Sequence, residues 1–435
     1  MKQKIERVLS ARQAAALGIG IVIGTGIFAV PGFVAQQLQS PGPILLAWVF
    51  GGLIALSGAL THAEIAGMVP RQGGSFIFVL EAFGPWAAFF KGWGAFLIGY
   101  PASSAAIAMV CGIYLTRLFD VPDLWVKPFA LAACVLVWLF NLRGTRFSGS
   151  FQTAITIAKV GALALLALVG FVAGGGSFSR LFAPPETMPG IGAFAIAMIG
   201  ILWTFDGWQN LTVVSGEVGM PEKSLTRSLL LTIALVTAIY LVMNICYLTV
   251  LPIEELRGAD APATRMAERA FGLAGGKVVS ALVVLSSFGA LFGIAMAAPR
   301  YFYALGESGL FFRQAAAIDP VTQAPRWGTT AILITTAICI LTGTFEQIIS
   351  YYICISLLYN MLAVGAVYRL RSIRPDAPRP FRIPGYPITP AVFILASLGI
   401  TASEVARAPA RSAIALAVLL AALPAYHFWR RGVPA

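Results

Sequence analysis

Residues 14–32 read AAALGIGIVIGTGIFAVPG, and residues 203–209 read WTFDGWQ. The first is an apolar run punctuated by Gly18, Gly20, Gly24, Gly26 and Gly32. Inside a helix each glycine costs about 1 kcal/mol relative to alanine. Grouped as Gly24-Thr25-Gly26, they predict a helix that unwinds partway along its length. The second stretch sets the carboxylate of Asp206 beside Gly207 and among aromatic residues, inside another apolar run. Unwinding frees backbone N–H and C=O groups, which a membrane tolerates only where they line a cavity or touch protein. The positive end of the half-helix after such a break suits a carboxylate.

Both stretches belong to a chain of 435 residues that is 58% hydrophobic and only 11% charged, with mean hydropathy +0.84. Soluble domains carry about 25% charged residues, so this chain cannot cover a globular surface, and a soluble enzyme is excluded. Disorder and coiled coil fall to the same arithmetic. A membrane barrel would alternate in short segments rather than run apolar. The apolar runs fall at 14–38, 43–68, 86–116, 124–141, 149–173, 189–217, 226–251, 276–304, 327–343, 346–368, 386–406 and 410–428. Each suits a membrane helix of about 20 residues, which predicts an all-α polytopic protein with twelve transmembrane helices in a single membrane domain.

The broken runs are the first and the sixth, five spans apart. That spacing is expected of a five-plus-five inverted repeat whose first helices are both discontinuous and hold a ligand at the midplane. The first repeat covers about 14–173 and the second about 189–368, with two further helices over 386–428. Small residues also favour close helix packing, but interruptions at two corresponding positions point to a binding site.

The net charge is +12. Placing both termini in the cytoplasm puts about two thirds of the Lys and Arg residues, Lys91 and Arg300 among them, on the inner side. The basic balance then needs no nucleic-acid partner. Five cysteines, at 111, 134, 246, 339 and 354, lie in apolar runs without CxxC spacing and read as small core residues. No cleavable signal peptide is evident, since the first run is too long for one. Two linkers are complex: Ala263 to Phe271 suits a short interfacial helix outside, and 70–85, with Phe76, Phe78, Leu80 and Phe83, suits another inside.

Five ordered motifs carry a family resemblance. They are GIVIGTGIF from Gly20, AEIAGMVPRQGGSF from Ala63, TRFSGSFQTAITIAKV from Thr145, TFDGWQNLTVVSGEVGMPEKSL from Thr204 and SSFGALFGIAMAAPRYFYALGESG from Ser286. Together they make the chain similar to the L-type (LAT-like) branch of the amino acid–polyamine–organocation transporter superfamily. The resemblance implies a LeuT-type fold, alternating access and L-amino-acid substrates, usually moved by exchange.

It also implies roles. Thr25, Gly26 and Ile27 would offer backbone N–H groups to the substrate carboxylate, and Val22 and Ile23 would offer carbonyls to its α-ammonium. Trp203 stands where the branch has an aromatic gate. Lys159 stands where sodium-coupled relatives hold their ion, donating to carbonyls of the first helix, with Ser286 and Ser287 beside it. That implies independence from sodium. Snorkelling is the other use of a lysine in a span, but Lys159 lies ten residues, about 15 Å, into its run.

An ionisable residue in a span is a functional candidate by default. For Asp206 three roles stay open: pairing with a cationic side chain, pairing with the α-ammonium, or holding the unwound backbone. Gln209 either reaches substrate or packs. Glu64 and Glu217 read as partners of loop arginines more readily than as proton carriers. His62 and Tyr247 read as packed residues. Animal members of the branch join a glycoprotein through a Cys after the third helix. Residues 116–127 have none, so no disulfide-linked heavy subunit is expected. The short termini suggest a bacterial inner-membrane protein.

The expectation is a sodium-independent exchanger of small neutral L-amino acids, without cofactor or metal. Proton-coupled uptake or export, or exchange of cationic and dibasic amino acids through Asp206, is the alternative. No HExxH, GxSxG with a histidine partner or Walker A motif supports a membrane enzyme, and no added soluble domain supports a sensor.

Overall fold

The computed structural model describes residues 10–69, 71–173, 175–184, 188–214, 221–320, 322 and 324–430. Glu217 lies outside them. Among the described residues the ordered elements are helices. In chain order they are α1 (Ala11–Val22), α2 (Gly26–Leu38), α3 (Pro41–Met68), α4 (Ser75–Phe83), α5 (Pro85–Gly94), α6 (Tyr100–Phe119), α7 (Val126–Asn141), α8 (Thr145–Ala173) and α9 (Ile191–Phe205). There follow α10 (Asn210–Val213), α11 (Pro221–Val250), α12 (Ile253–Leu256), α13 (Pro262–Glu307), α14 (Arg326–Thr342), α15 (Phe345–Ile373), α16 (Ile388–Arg407), α17 (Pro409–Leu420) and α18 (Ala422–Arg430).

Among the described residues, eleven continuous or broken helical stretches are long and apolar enough to cross a membrane. The span expected at 327–343 is the shorter apolar helix α14, of 17 residues. Both predicted breaks are present. Ser10 caps α1 through a capping box with Gln13, and α1 ends at Val22, with three residues between it and the start of α2 at Gly26. Likewise α9 ends at Phe205, and Asp206 to Gln209 turn before α10. The broken helices sit at the centre: α2 packs on α9, and α1 packs on α8, α11 and α13.

Two linkers differ in detail from expectation. The one at 263–271 is a short helix that runs into α13, with the join at Gly272, whose φ of 66° falls where glycine is at ease. The one within 70–85 forms α4, which lies buried rather than on a surface: Phe76 and Phe78 are almost fully enclosed, and the helix packs on α5 and α15. Gly73 and Gly74, both at positive φ, make the turn into it. A Cβ on Gly74 would meet the Val213 backbone nitrogen at 2.8 Å, so the close approach of this turn to α10 requires glycine.

The third span carries a local π-helical stretch at Ala95–Gly99, between α5 and α6. Such bulges recur at functional sites, and here both Ala95 and Gly99 face the central cavity. All five cysteines are free, and four of them are buried.

Candidate functional site

The two breaks meet around one cavity of about 50 Å³. Its wall includes Val22, Gly24, Thr25 and Gly26 from the first break and Trp203, Thr204, Asp206, Gly207 and Gln209 from the second. The N–H groups of Phe28 and Ala29 turn back to the Thr25 carbonyl. Those of Gly26 and Ile27 open the helix, where no intrahelical acceptor exists. A helix N-terminus therefore points its free donors and its positive dipole end at this region. Gly26 is needed for fit: a Cβ there would meet the Thr204 side chain at 2.6–2.8 Å, whereas one on Gly24 would find only ordinary contact, 3.5 Å from Ala290.

Lys159 is 1% exposed, deep in the helix bundle. Its ammonium donates to the carbonyls of Gly20 at 2.5 Å and Ile23 at 2.6 Å, and more distantly to that of Ser286 at 3.4 Å. The Ser286 hydroxyl donates to the Gly24 carbonyl at 2.9 Å. The carbonyls left without helical partners by the first break are thus tied to α8 and α13. Ser287 is buried nearby, but its hydroxyl returns to Val283 on its own helix, so it takes no part in this contact.

The carbonyls expected for an ammonium are already engaged. Ile23 is absent from the cavity wall, and its oxygen serves Lys159. The Val22 oxygen accepts from the Tyr240 hydroxyl at 2.7 Å and the Gly24 N–H at 2.8 Å. Tyr240 also donates to the Thr204 carbonyl at 3.0 Å, so one buried hydroxyl pins both breaks.

Trp203 is 6% exposed and lines the cavity. Its ring meets Phe345 edge-on, with centroids 6.0 Å apart. Phe345 in turn lines a separate vestibule of about 550 Å³ with Phe33, Glu346 and Arg407. The Trp203–Phe345 pair therefore stands between cavity and vestibule. Asp206 accepts from Gln209 Nε2 at 3.0 Å and from the Tyr352 hydroxyl. The Gly207 N–H donates to Gln209 Oε1 at 3.2 Å. Asp206 and Gln209 hold each other as well as lining the cavity.

On the side away from the vestibule, Glu64 is fully buried and paired with Arg371 through both oxygens at 2.6–2.7 Å. The Ile383 N–H adds a third bond at 2.7 Å. Glu81 pairs with Arg71 at 2.5 Å and with Arg374. These pairs fasten α3 and α4 to the end of α15, as expected of Glu64 from its sequence position. His62 is buried among the Phe78 and Trp208 rings. Tyr247 is buried too, and donates to the Ile27 carbonyl at 3.3 Å.

Some groups escaped sequence reading. Lys91, counted among cytoplasmic loop charges, is 1% exposed in α5 and lines the cavity. Tyr352, Tyr359 and Asn360 of α15 and Tyr301 of α13 share that wall. Arg300, also counted as a loop charge, is buried in α13 and donates to the Met296 carbonyl. Among the described residues no cluster of His, Cys, Asp or Glu could hold a metal.

A bundle of apolar helices, two of them broken around one polar cavity, is the architecture of a membrane transporter of the LeuT type. The chain belongs to the amino acid permease family, whose model matches residues 9–423, and is a multi-pass membrane protein. It is 31% identical over 406 residues to b(0,+)-type amino acid transporter 1 of Mus musculus, covering 90% of this chain and 81% of that one. To the serine/threonine exchanger SteT of Bacillus subtilis it is 29% identical, covering 95% and 94%. To the cystine/glutamate transporter of Homo sapiens it is 28% identical, covering 98% and 86%.

Proposed function

We propose that this chain exchanges small neutral L-amino acids across a bacterial inner membrane, independently of sodium and with both termini in the cytoplasm. The observation that carries the reading is the contact of Lys159 with the Gly20 and Ile23 carbonyls. A fixed ammonium there supplies the positive charge that a bound cation would otherwise bring to the broken helix. The substrate carboxylate takes the N–H groups at the start of α2. Its α-ammonium takes the Ile21 carbonyl at the end of α1, on a residue that lines the cavity, since those of Gly20, Val22 and Ile23 already accept from Lys159 and Tyr240. Trp203 closes over it. The repeats at about 14–173 and 189–368 rock against each other, with 386–428 alongside.

Exchange is supported by the printed name of SteT, a serine/threonine exchanger. A neutral substrate is supported by Asp206, which already accepts from Tyr352 and Gln209 and shares its cavity with the ammonium of Lys91. A cationic side chain would meet that ammonium. A disulfide-linked subunit has no anchoring Cys in residues 116–127, so the chain works without one.

The experiment is uptake of labelled alanine and serine into proteoliposomes, with and without internal amino acid, in sodium-free buffer. Uptake that requires internal amino acid and is unchanged by added sodium supports the proposal. Uptake into empty vesicles driven by a pH gradient contradicts it in favour of proton coupling.

A further inference from the structure

The substrate contacts above leave Lys91, Tyr301 and Asn360 of the cavity lining unused. Lys91 Nζ makes a single long bond, to the Tyr359 carbonyl at 3.4 Å, and lies 4.1 Å from the centroid of the Tyr359 ring. An ammonium has three N–H donors, so this one is underused. Tyr301 is 2% exposed and Asn360 3% exposed. The Tyr301 hydroxyl and Asn360 Oδ1 have no hydrogen-bond partner in the protein, and both residues line the same cavity. Buried polar groups without partners are costly. Two of them and an underused ammonium, from α13, α15 and α5, line one cavity, which is hard to reconcile with a packing role.

The wall is also balanced in charge. Asp206 brings a carboxylate and Lys91 an ammonium. A fully cationic side chain is repelled by Lys91, and a fully anionic one by Asp206, at a depth where charges interact strongly. A purely alkyl side chain satisfies none of the open donors and acceptors. A neutral group that both donates and accepts satisfies one of each: a carboxamide or a hydroxyl donates to Asn360 Oδ1 or Asp206 and accepts from Lys91 or Tyr301.

We propose that Lys91, Tyr301 and Asn360 form a side-chain subsite that selects amino acids bearing a hydroxyl or carboxamide. This rests on the exchange reading above and names its substrate class. Sites built to hydrogen-bond a substrate group discriminate strongly against analogues that lack it, because their own polar atoms are left unpaired.

The test is inhibition of labelled alanine exchange in alanine-loaded proteoliposomes by isosteric pairs: serine against 2-aminobutyrate, and asparagine against leucine, with aspartate and 2,4-diaminobutyrate as charged controls. The subsite predicts half-inhibitory concentrations at least tenfold lower for serine and asparagine than for their alkyl partners, with both charged controls weaker than asparagine. In Lys91→Met and Tyr301→Phe the serine-to-2-aminobutyrate ratio falls toward one, whatever happens to total uptake. Tyr301→Phe removes only an unpartnered hydroxyl, so it tests the subsite without disturbing an internal bond. A flat series in the wild type overturns the subsite while leaving exchange intact, and so does an unchanged ratio in both variants. No exchange of any amino acid overturns the exchange reading, and the subsite with it.

Discussion

The ammonium of Lys159 lies 2.6 Å from the carbonyl oxygen of Ile23, the residue at which the first helix stops. The contact joins positions 136 residues apart in sequence. It fixes the unwound segment to α8, and through the hydroxyl of Ser286 the segment is also held by α13. The break is thereby a built conformation: its Gly20, Ile23 and Gly24 carbonyls have designated donors, and the N–H groups that open α2 have no intrahelical acceptor.

Replacing Lys159 by alanine leaves the Gly20 and Ile23 carbonyls buried without that donor. A buried acceptor left unpaired costs about 1–3 kcal/mol, and two are left here, so Lys159→Ala should lose at least tenfold in initial exchange rate. Added sodium should not restore it. Restoration by sodium, or a variant as active as the wild type, would separate Lys159 from the transport cycle.

Trp203 lines the cavity, and Phe345 is its edge-on neighbour. Trp203→Ala removes the ring that separates the cavity from the vestibule, and KM for alanine should rise at least tenfold. Trp203→Phe keeps an aromatic face and should lie between the two. Equal KM values for all three proteins would assign the ring to packing alone.

Glu64 is fully buried and tied to Arg371 and the Ile383 N–H. Glu64→Gln leaves the Arg371 guanidinium without its carboxylate at the edge of the bundle. Since Arg371 is partly exposed, water compensates in part, and a loss of about 2 kcal/mol is expected, below the range for fully buried pairs. Thermal unfolding in detergent should show a fall of several degrees. An unchanged transition would mean that this cluster does not hold α3 to α15 in the resting protein.

What could be read from the chain itself follows from which signals are local. The two breaks were legible because Gly24-Thr25-Gly26 and Asp206-Gly207 interrupt otherwise continuous apolar runs. Lys159 was legible because it lies ten residues inside one. Lys91 was not, since a lysine a few residues into the run at 86–116 looks like an end charge. Its burial comes from Tyr359, 268 residues away. That the Ile23 carbonyl serves Lys159 was not legible either: a break shows which carbonyls lose their helical partners, and only packing against α8 decides which of them the lysine takes. The buried course of α4 depends on the close approach of Gly74 to α10, a contact with no local signature.

The central claim is that substrate rests on the backbone where the first helix is broken. Gly26 tests it most directly, because a methyl group there collides with Thr204 whereas one at Gly24 has room. The measurement is equilibrium binding of labelled L-serine to the purified protein in sodium-free buffer, for the wild type, Gly24→Ala and Gly26→Ala. The account predicts saturable binding by the wild type, at least tenfold weaker binding by Gly26→Ala and a clearly smaller loss for Gly24→Ala. Equal affinity in Gly26→Ala and wild type, with both proteins folded, would place the amino acid somewhere other than this break.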